Sequence, residues 1–75
     1  MELAMLSFQV IESGNAIQIE CDSAGMATLL EKLASLLREP EHIHLRGPSA
    51  GGNDLSEVSP FGEKAVWEVI IDYQP

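Results

Sequence analysis

The chain has 75 residues, of which 45% are hydrophobic and 21% are charged. This length allows one domain, residues 1–75, with a modest core, and the composition excludes an intrinsically disordered chain. Twelve acidic residues against four basic ones give a net charge of −8, which argues against binding to nucleic acid or to an anionic membrane surface.

The first part of the chain has the pattern of a β-hairpin. Apolar and polar residues alternate over residues 3–12 and again over 16–21, as they do in half-buried strands. The Ser-Gly-Asn segment at 13–15 tolerates positive φ and favours a turn between them. A two-residue loop would place Val10 opposite Ile19, so that both strands bury one consistent face.

The next segment changes to helical periodicity. Over residues 24–39 the leucines recur at spacings of three and four, which predicts an amphipathic helix with one apolar face. Asp22 or Ser23 is suited to cap its first N–H groups, and Pro40 prevents its continuation.

Two further strands follow, separated by a long loop. Residues 42–46 alternate again, and residues 47–62 are rich in Gly, Pro, Ser and Asn, with Leu55 as an apolar anchor. Residues 64–73 form a fourth alternating segment that directs Trp67 toward the core. The sequence therefore predicts an α+β domain of order ββαββ, with one helix packed on one face of a four-stranded, largely antiparallel sheet.

The face of the sheet that the helix leaves open is the predicted binding surface. Polar side chains, Gln9 among them, alternate onto it from the strands, and the loop lies beside it. The predicted partner-binding residues are Gln18, Glu20, His42, His44, Arg46, Asp54, Ser56, Glu68 and Asp72.

The two histidines on one strand face suggest an alternative, a metal-binding module. His42 and His44 are two residues apart on a strand, so both imidazoles point the same way and could share an ion. A third ligand would have to come from Glu20, Glu68 or Asp72 on neighbouring strands. The competing interpretation is two surface histidines paired with acidic residues across the strands.

The remaining motifs do not support catalysis. The Gly-rich loop at 47–52 has glycines at the spacing of a phosphate-binding loop, but Asn53 and Asp54 stand where lysine and a hydroxyl are required. Cys21 lies in an apolar strand and is expected to be buried, and the serines lack a nucleophile-elbow context. We therefore expect a non-enzymatic protein without a cofactor.

The segments IQIECDSAG at 17–25, LLEKL at 29–33, HIHL at 42–45 and DLS at 54–56 together resemble the Immunity protein 32 family. The resemblance extends over residues 17–73. It implies a small α+β protein of the bacterial cytoplasm that binds the catalytic domain of a cognate toxin and blocks it, without a cofactor. The most distinctive positions that it marks are Asp22, His42, His44, Leu45, Leu55 and Ser56.

The sequence also predicts a location, a kind of partner and an oligomeric state. The N-terminal segment lacks the pattern of a signal peptide, no apolar run is long enough to cross a bilayer, and a single cysteine suits a reducing cytoplasm. The acidic charge suits a basic protein partner such as a toxin domain. A structural alternative is a homodimer formed through the open sheet face, with Met5, Ile11 and Ile70 as apolar contacts.

Overall fold

A computed structural model describes residues 5–57 and 65–74. It contains β1 (Leu6–Ile11), β2 (Ala16–Cys21), α1 (Ser23–Arg38), β3 (His42–Arg46) and β4 (Glu68–Asp72). The predicted α+β class and ββαββ order are confirmed. The four strands form two separate antiparallel pairs, β1 with β2 and β3 with β4, whereas the sequence predicted one sheet.

The β1–β2 hairpin has a longer turn than predicted. Val10 lies opposite Ile17, not Ile19, because Glu12 to Asn15 all lie between the strands. Glu12, Ser13 and Gly14 have positive φ values of 52°, 58° and 87°, and the Asn15 N–H donates to the Glu12 carbonyl at 3.1 Å. Since the register differs by two residues, every side chain stays on its predicted face.

The second edge of β1 is hydrogen-bonded to two segments that lie outside the strands. The Leu6 carbonyl accepts from the Ser56 N–H at 2.7 Å, and the Phe8 carbonyl accepts from the Val66 N–H at 2.8 Å. These are single bonds to segments outside the strands, so no continuous ladder joins β1 to the other pair. The strands are held beside each other without forming one sheet.

The N-terminus of α1 is fastened to the start of β1. Asp22 is the N-cap: its Oδ1 accepts from the Gly25 N–H at 2.7 Å and from the Met5 N–H at 3.1 Å. These two hydrogen bonds, led by the one from Gly25, lower the pKa of the Asp22 carboxyl. A Cβ on Gly25 would lie 1.9 Å from the Met5 carbonyl oxygen, so only glycine permits this approach of helix and strand.

The core lies where the hairpin, the helix and the second strand pair meet. Leu6, Phe8, Leu45 and Leu55 form its buried centre, and Cys21 and Leu29 pack against it from β2 and α1. Leu55 thus anchors the loop as predicted. None of the helices formed by the described residues is long and apolar enough to cross a membrane.

Trp67 is not a core residue, contrary to the prediction. Its side chain is 55% exposed, because β4 begins only at Glu68 and a bend at Trp67 precedes it. The period-two pattern that directed Trp67 inward therefore does not apply at this residue. The rest of the predicted loop, residues 58–62, and the predicted strand start at Lys64 lie outside the described residues.

Candidate partner-binding face

The outer side of the β3–β4 pair carries a row of polar side chains. His42 lies opposite Asp72, and Arg46 lies opposite Glu68, while Leu45 on the other side enters the core. Alternation along the two strands therefore places the polar residues on one surface. Ile70, which lies opposite His44 and is 55% exposed, is the apolar residue among them. We call the polar residues of this surface the polar strand face, which consists of His42, His44, Arg46, Glu68 and Asp72.

Glu68 is the centre of the polar strand face. Its Oε2 accepts from Arg46 Nε at 2.8 Å and lies 2.7 Å from His44 Nδ1. A carboxylate can only accept, so this contact places the proton of the imidazole on Nδ1. The hydrogen bond from Arg46 lowers the pKa of Glu68 the most, and the hydrogen bond from His44 lowers it further. All three side chains are therefore oriented while remaining about one third to one half exposed.

The histidine pair has the geometry of two interacting rings. The ring centroids of His42 and His44 are 5.0 Å apart at an interplanar angle of 74°, an edge-to-face arrangement. The Nδ1 atom of His44 is engaged by Glu68, as the surface-pair interpretation expected. Within residues 5–57 and 65–74, no group of three His, Cys, Asp or Glu side chains is placed to hold a metal ion.

The loop residues on the predicted list hold the end of β3. Asp54 Oδ2 accepts from the Arg46 N–H at 3.2 Å, and the Arg46 carbonyl accepts from the N–H groups of Asp54 and Leu55. Ser56 contributes its backbone N–H to Leu6. The described contacts of Asp54 thus support the polar strand face from one end, whereas the contact of Ser56 joins the loop to β1.

A carboxylate that the sequence analysis did not single out fastens the first part of the loop. Glu57 accepts from the Ser49 N–H at 2.5 Å and from the Ser49 hydroxyl at 2.6 Å, and these bonds lower the pKa of Glu57. Its Cγ would lie 2.9 Å from a Cβ built on Gly47. The first part of the predicted long loop is therefore hydrogen-bonded to itself over residues 47–57.

Gln18 and Glu20 do not join the other predicted residues in one sheet, because β2 belongs to the first strand pair. Beside them, Ser7 and Gln9 are buried, although Gln9 was predicted to lie on the open face. With its amide oriented to satisfy its neighbours, Gln9 accepts from Ser7 Oγ at 2.7 Å and donates to Glu20 Oε1 at 3.0 Å. Gln9 therefore belongs to an internal polar cluster that positions Glu20.

The structure also contains an apolar groove that the sequence pattern assigned to the core. About half or more of each of the side chains of Val10, Ile17 and Ile19 is exposed. The reason is that Gly25 of α1 packs against Met5 at the start of β1, at the end of the hairpin away from its turn. Together with side chains of β4 they line a groove of about 470 Å³, which we call the hairpin groove. Its lining residues are Phe8, Gln9, Val10, Ile17, Ile19, Val66, Glu68, Val69 and Ile71.

Glu68 belongs both to the polar strand face and to the lining of the hairpin groove. Among the described residues, no side-chain hydrogen bond joins a serine or cysteine to a histidine. Such a hydrogen bond is the contact that activates a nucleophile.

Comparison with family models, curated proteins and solved structures finds no match to this chain.

Proposed function

We propose that this chain is a non-enzymatic protein-binding module that neutralises a cognate bacterial toxin in the cytoplasm by binding to it. The observation that carries the proposal is the hydrogen-bonded polar strand face beside an open apolar groove. Protein interfaces typically combine an apolar centre with a polar rim. Here the hairpin groove would form the apolar centre of the interface, and Glu68, at the edge of the groove, would be the first residue of its polar rim.

The orientation of the polar strand face favours binding over mere solvation. Arg46 and His44 are already held by Glu68, so a partner loses less side-chain freedom when it binds them. A planar guanidinium and an imidazole also offer directional hydrogen bonds. The face is therefore prepared for a specific partner.

The net charge of −8 indicates the chemistry of that partner. A basic protein surface would be attracted over distances of about one Debye length and would associate faster at low salt. Nuclease-like toxin domains, which bind phosphate backbones, have such basic surfaces. We propose a basic toxin domain as the partner.

The resemblance to the Immunity protein 32 family supports the same conclusion. Of the positions it marks, Asp22 caps the helix, and Leu45 and Leu55 are buried in the core. His42 and His44 have no such place in the core and stand on the polar strand face. The marked positions thus divide between residues that hold the fold and residues available to a partner.

The test is co-expression with the C-terminal domain of the protein that the neighbouring gene encodes. We expect rescue of growth and a co-purifying complex whose association rate falls as salt is added. Glu68→Gln removes the charge that orients Arg46 and His44, and it should weaken the complex by about tenfold or more. Calorimetry of the purified proteins measures the change.

Glu31→Gln is the matched control, because Glu31 is an exposed acid on α1 and its substitution changes the net charge equally. We expect its effect on affinity to be about twofold or less. If both variants weakened the toxin complex equally, only the net charge of the chain would matter for binding, and the polar strand face would have no specific role. Absence of both rescue and complex with the unaltered chain would refute the proposed function.

A further inference from the structure

Strand β2 has an edge to which no other strand is added among the described residues, since β2 pairs with β1 alone. The carbonyls of Leu6 and Phe8 accept from N–H groups outside the hairpin, so the backbone groups of these two residues point away from β2. Their partners across the ladder are Cys21 and Ile19. In an antiparallel pair both members of such a couple turn their N–H and C=O groups outward.

The same alternation applies to Ile17, which lies opposite Val10. None of the backbone hydrogen bonds within residues 5–57 and 65–74 uses the outward groups of Ile17 or Ile19. Their side chains are 70% and 48% exposed, and Gln18 between them is exposed on the other face. The edge is therefore open to solvent along the middle of β2.

The edge of β2 lacks the features that usually protect an edge strand. Natural proteins place lysine, proline or a β-bulge at such edges to prevent pairing with another chain. The strand reads AIQIEC, with neither lysine nor proline, and its ladder with β1 is unbroken over six pairs. An unprotected edge with exposed alternate apolar side chains is suited to receive one further strand.

We propose that an extended segment of the toxin, with alternating apolar and basic residues, adds to the outer edge of β2 as a further strand. This inference rests on the proposed function and specifies the part of the partner that binds. The outward groups of Ile17 and Ile19 would exchange hydrogen bonds with the segment. Its apolar side chains would pack beside those two isoleucines and extend the hairpin groove.

Charge complementarity selects a basic segment over a second copy of this chain. The hairpin, residues 5–22, carries three acids and no base: Glu12, Glu20 and Asp22. Residues Gln18 and Glu20 lie on the face of β2 opposite the isoleucines, and Glu20 accepts from Gln9. A basic side chain across the new ladder would pair favourably with this acid, whereas a second copy would add three more acids to the same sheet.

The experiment measures amide hydrogen exchange of the purified chain by NMR, with a synthetic peptide of four Val-Lys repeats as the probe. In the free chain the Gln18 amide, which points toward β1, should exchange slowly, and those of Ile17 and Ile19 should exchange fast. The probe at about 1 mM should slow exchange at Ile17 and Ile19 by about tenfold or more. Absence of that slowing would overturn the proposal. Protection in the free chain that disappears on dilution would identify a second copy as the occupant and would also overturn it.

Two methylated probes separate backbone pairing from side-chain contact. The valines face the isoleucines, so in the added strand the valine N–H groups point toward β2 and the lysine N–H groups point away. Methylation of the valine backbone nitrogens should weaken binding by about tenfold or more, and methylation of the lysine backbone nitrogens by about twofold or less. Equal binding of the two would refute strand addition.

A peptide of four Val-Glu repeats is the charge control and should leave exchange at Ile17 and Ile19 unchanged. If it slowed exchange as much as the Val-Lys peptide does, the preference for a basic segment would be wrong.

The toxin complex distinguishes this inference from the proposed function. The amides of Ile17 and Ile19 should also be protected in the complex with the toxin domain. A complex that leaves both amides exchanging fast would overturn strand addition while the proposed function stands. Protection by the Val-Lys peptide, together with failure of both growth rescue and complex formation, would refute the proposed function while supporting a basic strand as the occupant of the edge.

Discussion

Gly25→Ala is the substitution for which helix propensity and the tertiary structure predict opposite results. Alanine is the better helix former by about 0.8–1.0 kcal/mol, so the helix alone would gain stability. In the fold, the new Cβ would lie 1.9 Å from the Met5 carbonyl oxygen, 2.7 Å from the Met5 carbonyl carbon and 3.2 Å from Cys21 Cβ. Two of these atoms are backbone and cannot rotate away.

The net effect follows from the two opposing contributions. Overpacking typically costs about 1–3 kcal/mol and sometimes more, and a contact with rigid backbone belongs at the upper end of that range. We therefore expect Gly25→Ala to lower the free energy of unfolding by roughly 2 kcal/mol after the gain in propensity. A domain of this length has a total stability of only about 4–11 kcal/mol, so the loss would be plain in a urea titration followed by circular dichroism.

A pair of variants at exposed Glu31 calibrates the propensity contribution in the same helix. Glu31→Ala should be more stable than Glu31→Gly by about 0.8–1.0 kcal/mol, because an exposed position adds little packing cost. If Gly25→Ala proved as stable as the unaltered chain or more stable, the close approach of α1 to the start of β1 would be refuted.

Two further outcomes are expected. Gln9→Leu should destabilise the fold by about 1–3 kcal/mol, because it leaves the buried Ser7 hydroxyl without its partner, and Ser7→Ala in the same chain should restore part of the loss; additive losses in a double-mutant cycle would contradict the cluster. Folding lowers the pKa values of three carboxylates from their ordinary values of 3.8 for Asp22 and 4.5 for Glu57 and Glu68. In acid the unfolded chain therefore binds more protons than the folded chain does. These carboxylates should contribute fully to the free energy of unfolding above those ordinary values, and their contribution should be lost as the pH drops through the lower folded values. Asp22→Asn keeps the capping acceptor but does not titrate, so its urea midpoint should depend less on pH, and equal slopes would refute the role of Asp22. The carboxylates with lowered pKa are Asp22, Glu57 and Glu68.

The local periodicities predicted the elements well because each depends on neighbouring residues. β2 and β3 have the predicted bounds, and α1 begins at Ser23, one residue before the prediction, with Asp22 as its cap. The cross-strand pair of His44 and Glu68 was also foreseen as one of two interpretations, since alternation places histidines and acids on one side. Propensity and capping act over a few residues, so they can be read in order along the chain.

The errors have a common physical cause, which is that burial depends on where the elements are fastened. Val10, Ile17 and Ile19 follow a core pattern, yet they are exposed because α1 is pinned to the other end of the hairpin. Gln9 follows a surface pattern, yet it is buried within a satisfied polar cluster. Alternation assigns a residue to a face of a strand, but it does not determine what covers that face.

The sequence by itself determined the α+β class, the ββαββ order and the face of each paired strand, because these follow from local periodicity and from turn and cap residues. Only the tertiary structure decided that the strands form two pairs, that Glu68 binds both Arg46 and His44, and that Val10, Ile17 and Ile19 are exposed. Those features depend on contacts between residues far apart in the chain. The approach of Gly25 to Met5 is the decisive contact, because it sets the position of the helix and therefore which apolar side chains of the hairpin remain exposed.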